Sequence, residues 1–151
     1  MAYHDLAQVK ETCQYYERAP ATSESSGVPG FSEAFHFQYP QKAGAFKLFY
    51  SYTNTTGIFE RFADYPVINK VKFPTVVVDF TIDPKTKEYT SLTEFLCFDV
   101  KDMSYMEVRI GSRSPTISEA MLKTLESKVI LSGIPVKYLT PADHNSCSYD
   151  N

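Results

Sequence analysis

From Phe31 to Val108 the chain is a series of short runs in which ring-bearing and β-branched side chains alternate with polar ones, punctuated by Gly, Pro, Asn and Asp. In FSEAFHFQY, Phe35, Phe37 and Tyr39 fall on one face and Ala34, His36 and Gln38 on the other. AFKLFYSYT repeats this with Phe46, Leu48, Tyr50 and Tyr52, after a turn signal over 40–44. NTTG and ADYP introduce IFERFA and VINKVKF; TVVVDFTI and YTSLTEFLCFDV follow, parted by Asp83-Pro84-Lys85-Thr86-Lys87, and SYMEVRI comes last. Strands returning every ~10 to 14 residues, with no helix long enough for a parallel crossover, predict an antiparallel sandwich or barrel. A period of two says that a face is buried without saying which face is the inner one.

The period changes after Arg113. Thr116 and Glu119 have the spacing of a capping box, and Met121, Leu122, Leu125 and Val129 form an apolar stripe at helical spacing. Gly133 is a natural C-terminal cap and Pro135 forbids continuation, so a helix is expected over about 117–132. A single amphipathic helix after a run of strands packs its stripe on the outside of the sheet. The tail, VKYLTPADHNSCSYDN, has no strong pattern and is expected to run back over the surface.

A chain of 151 residues is expected to form one domain spanning 1–151. The net charge of -3 comes from mixed acids and bases with no basic block to follow phosphates, which argues against nucleic acid. No apolar stretch has the length of a membrane span, and Met1 to Leu6 lacks the regions of a signal peptide. Phe and Tyr make up the whole aromatic 15%, with no Trp, so a ring-rich interior is expected. Cys13, Cys97 and Cys147 are too far apart for a CxxC motif, and an odd count leaves at least one thiol unpaired in a monomer. Asn54-Thr55-Thr56 is a formal glycosylation sequon.

The stretch SYMEVRIGSRSPTISEAMLKTLESKVILSGIPVKYL resembles the last strand, Ser-Arg join, helix and exit of the lipocalins, most closely the arthropod-type group of apolipoprotein D, bilin-binding protein and crustacyanin-like members. CQYYERAP is similar to the family's first-strand motif Gly-x-Trp-Tyr-Glu with its Pro ending, with Cys13 in place of Gly and Tyr15 in place of Trp. The middle motif is met only loosely, because Asp83 and Tyr89 are separated by an insertion. The resemblance implies an all-β fold: an eight-stranded antiparallel up-and-down barrel with one C-terminal α-helix packed outside. It also implies that Arg113 lies over the Tyr15 ring and closes one end of the barrel. That contact, together with a hollow above it, is what a carrier function demands of the structure. Cys97 and Cys147 match cysteines that the family pairs with others early in the chain. Cys13 is available to either, and the pairing stays open.

What such a barrel does depends on what lines it. The candidates are Phe35, Phe37, Tyr39, Phe46, Leu48, Tyr50, Tyr52, Val76, Val78, Leu92 and Leu96, each of which could equally fill the core. The resemblance implies a secreted carrier of a hydrophobic small molecule (carotenoid, bilin, retinoid, fatty acid or other lipid) needing no cofactor. The alternative is an interaction or pigment-assembly subunit with a filled barrel, in a homo- or hetero-oligomer. No catalytic residue and no metal are expected. His36 lies opposite Phe35 and Phe37 and reads as a surface histidine, while His4 and His144 are terminal and no second ligand sits at metal spacing. Cys97, the position an isomerase would use, has acidic and apolar neighbours with no cation to activate it. GVPG and GSRS fit neither a phosphate cradle nor GxSxG. Asp79, Asp83, Glu94, Asp99 and Glu107 read as solvated surface charge.

Overall fold

The structure is a computed structural model that describes residues 2–3, 12–23, 26–39, 42–65, 68–100, 103–134, 136 and 139–149, with backbone alone at 2–3, 39, 42, 63–65, 68–71, 100, 103 and 105. Tyr39, expected as a lining residue, therefore lies outside the described side chains.

Alternating runs become strands β1 (Ala2–Tyr3), β2 (Thr12–Thr22), β3 (Pro29–Tyr39), β4 (Lys42–Tyr52), β5 (Ile58–Tyr65), β6 (Ile68–Ile82), β7 (Tyr89–Val100), β8 (Met103–Ser112) and β9 (Thr140–Pro141), with helix α1 (Glu119–Leu131) between the last two. All join one antiparallel sheet in the order β2-β3-β4-β5-β6-β7-β8-β1-β9. Among the described residues the expected eight strands are not reproduced: the sheet is a curled meander of seven long strands, finished by two strands of 2 residues each. The reason is Pro74. VINKVKF and TVVVDFTI are one strand of 15 residues running through this proline. β6 pairs with β5 as far as Val76, and its described pairing with β7 starts at Thr75, so Pro74 stands next to the changeover between neighbours. A missing N–H is tolerated at such a place and not in the middle of a two-sided ladder.

Among the described residues no ladder joins β2 to β9. The C-terminal tail bridges them instead. Ala2 pairs with both Ile110 and Pro141, which carries β9 to the edge of β8. Beyond it the Asp143 carbonyl accepts the Cys13 N–H at 2.7 Å, and Cys13 and Cys147 form a disulfide. Cys97 is free and exposed, which resolves the open pairing. Cys13 occupies a bulge of β2 with a positive φ of 53°, aiming its side chain at the tail. Because 134 residues separate the two cysteines, the chain-entropy model credits the bridge with about 5 kcal/mol.

The curled sheet has a core on each face. The outer core joins Val108, Ile110, Leu125, Val129 and Ile134, with Val78, Phe95 and Leu122 packed against it, and it is the apolar stripe of α1 seated on β6 to β8. The helix starts later than expected: Ser118 is its cap, accepting the Met121 N–H at 3.2 Å, and Thr116 is not. Gly133, at φ 79°, ends it as the pattern requires, and Ile134 N–H bonds back to the Val129 carbonyl. The inner core contains Leu48, Tyr50, Phe73 and Leu96, with Phe31, Phe46, Phe59 and Phe98 around them.

Candidate functional site

Register decides which residues meet inside. Tyr16 lies opposite Phe35, Arg18 opposite Glu33, Phe31 opposite Tyr50, and Tyr50 opposite Arg61. On the far side Thr75 lies opposite Leu96, Leu96 opposite Glu107, and Glu94 opposite Arg109. One continuous inner face follows, in which rings and charges occupy positions of the same parity.

Six charged side chains fill the waist of this interior. Arg18 donates from Nε to Glu33 Oε2 and from Nη2 to Glu94 Oε2, each at 2.7 Å. Arg109 donates to Glu33 Oε1 at 2.8 Å and to the Tyr50 hydroxyl at 2.9 Å, and that hydroxyl donates to Glu33 Oε1 at 3.1 Å. Arg61 and Glu107 form a two-pronged pair at 3.0 and 2.9 Å, joined to the rest through Arg109 Nε, 3.8 Å from Glu107 Oε1. The bonds from β2 to β7 and from β8 to β3 are possible only because the sheet curls until its ends face each other. Gly111 allows the closest approach, since a Cβ there would collide with the Tyr16 hydroxyl.

The rings take part in this electrostatic arrangement. The Arg18 guanidinium lies 4.8 Å from the Tyr16 ring centre and 5.1 Å from that of Phe31; Arg109 lies 5.0 Å from Tyr16, and Arg61 5.7 Å from Phe73. Burial alone would raise the Glu33 carboxyl, but Arg109 and Arg18 override it and hold it down at about 2. Burial acts on Glu107 in the same way and is overridden by Arg61, so its carboxyl too lies below the usual range. Burial, reinforced by Glu94, pushes the Tyr16 phenol up to about 12, and burial likewise raises Tyr50. These groups keep one protonation state through the neutral range. They hold charge in place and offer no proton-transfer pair.

Around the waist the rings are partly accessible. Phe37 and Phe46 cluster with Phe35 toward the end that holds the starts of β2 and β4, with Phe35 and Phe46 centres 5.0 Å apart. Phe31, Tyr52 and Phe59 gather over Tyr50 toward the opposite end, where Tyr52 is 53% exposed.

The expected lining residues Phe35, Phe37, Phe46, Leu48, Tyr50, Tyr52, Leu92 and Leu96 all lie on this inner face. Val76 and Val78 do not. Val76 lies opposite Phe95 on the outer face, and Val78 packs in the core beneath α1. In TVVVDFTI the even positions Val76, Val78, Phe80 and Ile82 form one apolar set, but the register of β6 shifts between Val77 and Asp79, so Val76 and Val78 face outward while Phe80, opposite Leu92, faces inward.

The expected contact of Arg113 with Tyr15, which the sequence reading required of a carrier, is not made, so a carrier reading has to rest on the inner face and not on that closure. Arg113 donates from Nε to the Tyr89 carbonyl at 3.0 Å and lies 3.6 Å from Glu88, with 60% of its side chain exposed. Tyr15 faces outward, stacked on His36 at 4.4 Å and met edge-on by Tyr149 at 5.3 Å. Inside the sheet it is Tyr16 that lies under two guanidinium groups, those of Arg18 and Arg109. Glu94 and Glu107, expected as solvated charge, are 3% and 5% exposed. Their signal was parity: Glu94 is in phase with Leu96 and Phe98, Arg61 with Phe59, and Glu33 with Phe31 and Phe35. Cys97 is exposed on the outer face, away from the interior that an isomerase would use.

No family model matches the sequence, and no curated protein matches it. Among solved structures, lobster apocrustacyanin A1 is similar in fold, with a TM-score of 0.57 at 13% identity over 96% of this chain and 74% of that one. The likeness is one of fold, a curled antiparallel sheet with a helix outside it.

Proposed function

We propose that the protein is a secreted carrier that holds a small hydrophobic molecule, of the carotenoid, bilin, retinoid or fatty-acid kind, against the inner face of the curled sheet. One observation carries this reading: the inner face keeps partly accessible rings on both sides of its waist, Phe37 and Phe46 on one side and Phe31, Tyr52 and Phe59 on the other. Partly accessible rings on the inner side of a curled sheet suit an apolar guest. Removing ligand area from water at ~25 cal/mol per Å² supplies the driving force. The long-range disulfide supports an oxidising, extracellular setting. The resemblance over Met106 to Gly133 supports placement among the arthropod-type lipocalins. Titration with a panel of such molecules should quench tyrosine emission saturably. A panel that leaves the emission unchanged would end the proposal.

A second reading is supported by the waist itself. Six charged chains and two tyrosines fill the middle of the interior, as they would in a subunit that binds other chains through its surface and holds no guest. Native mass measurement separates the two. A monomer carrying small-molecule mass supports the carrier, and a ligand-free oligomer supports the subunit.

A further inference from the structure

The charges inside the sheet cancel: Arg18, Arg61 and Arg109 against Glu33, Glu94 and Glu107. Each guanidinium already faces at least one carboxylate at 3.0 Å or less. Arg61 Nε and Arg109 Nε are buried without a hydrogen-bond partner, but no guanidinium charge is left unbalanced, so an entering anion would add negative charge beside carboxylates that are almost fully buried. Beside these two unmatched donors the interior contains an unmatched acceptor, a combination that a hydroxyl, which both donates and accepts, can satisfy. Glu94 bonds Arg18 through Oε2, but its Oε1 is buried without a hydrogen-bond partner, on a residue 3% exposed. Thr75 Oγ1, on the same inner face and 1% exposed, likewise has none. A buried acceptor left unmatched is costly, and a group able to donate to it gains accordingly. Arg18, at 21% side-chain exposure, is the most open member of the set, so the side of Glu94 next to it is where a ligand head would arrive.

We infer that the molecule carried is uncharged and brings a hydrogen-bond donor such as a hydroxyl, and that carboxylates of the same shape are rejected. This rests on the carrier reading and narrows it: within the proposed class it favours alcohols over fatty acids and over ligands bearing propionates.

The experiment compares all-trans-retinol with all-trans-retinoate, which share a skeleton and differ at the head, and oleyl alcohol with oleate, in the wild-type chain and in Glu94→Gln. For the wild type each alcohol should bind at least about tenfold more tightly than its acid. Glu94→Gln removes the orphan acceptor's charge and leaves one arginine in excess, so the acids should gain at least about tenfold relative to the alcohols. Acids binding the wild type as tightly as alcohols, or a preference that Glu94→Gln leaves unmoved, overturns the inference while the carrier reading stands. Failure of all four molecules to bind removes the carrier reading and the inference with it. If near-ultraviolet circular dichroism shows Glu94→Gln to be unfolded, Glu107→Gln frees Arg61 in the same sense and takes its place. If neither variant folds, the wild-type comparison decides.

Discussion

The two faces of β6 to β8 are built from alternate residues of the same segments and are held together by opposite means. On the outer face Val78, Phe95, Val108 and Ile110 meet Leu125 and Val129 of α1, and burial of aliphatic surface is sufficient. On the inner face Glu94, Glu107 and Arg109 sit one residue away from those positions and are as deeply buried, with their partners on β2, β3 and β5. An apolar filling would serve stability at least as well, because desolvating six charges offsets most of what their pairing returns. The outer face is therefore what the helix needs in order to dock. Stability alone does not call for paired charges on the inner face, and the candidate site is placed there.

The inner arrangement depends on the ends of the sheet staying opposed, so loss of the bridge that holds them has the largest expected effect. Cys147→Ser should lower the unfolding free energy by up to about 5 kcal/mol in denaturant titrations. A loss under about 1 kcal/mol would mean that the inner ion pairs close the sheet by themselves. Next comes a direct contrast of the faces. Arg109→Met strands Glu33 beside a single remaining guanidinium and should cost about 4 kcal/mol, whereas Leu125→Ala, on the outer face, should cost about 3 kcal/mol. Urea midpoints in the reverse order would contradict the view that single charges inside are the more critical.

Acid should act on the inner face first. Glu33 ionises at about 2 in the fold against an ordinary 4.5, so its contribution is complete above pH 4.5 and is lost as the pH falls toward 2. Glu107 is shifted in the same direction and adds to this loss. Stability measured from pH 6 to 2 should thus fall by up to about 3 kcal/mol for Glu33 below pH 4.5. A flat profile there would show that the pairs do not hold the fold. The smallest effect is expected where a whole pair is replaced. Arg61→Met together with Glu107→Leu should leave stability within about 1 kcal/mol of the wild type or raise it, although either change alone is costly.

Much of the fold was legible because local chemistry forces it. Gly133 ends the helix since a positive φ is cheap only for glycine, and the ring-polar alternation from Phe31 onward marks strands whatever they pair with. VINKVKF and TVVVDFTI, read as separate runs, form one strand through Pro74, because a proline breaks a ladder only where its N–H is needed, and the point at which β6 changes neighbours is not written in the residues around it. The site was half legible. Phe35, Phe46 and Tyr50 were grouped by period on the face they share, but Val76 and Val78 were not, because a register shift between Val77 and Asp79 changes which alternate positions of β6 face inward. Glu94 and Glu107 read as surface charge because their counterions, Arg18, Arg109 and Arg61, are far away in the chain. The expected arginine-ring contact was assigned to Arg113 and Tyr15, whereas Arg109 and Tyr16 make one.

By itself, then, the sequence determined the alternation, the turns, the single helix and the existence of two buried faces, all of which depend on neighbours within a few residues. Only the tertiary structure decided which face turns inward, which cysteine Cys13 meets and which acids find their arginines. Those outcomes depend on how far the sheet curls, and curl is the sum of twist, register and bulges over seven strands, so no single segment contains it.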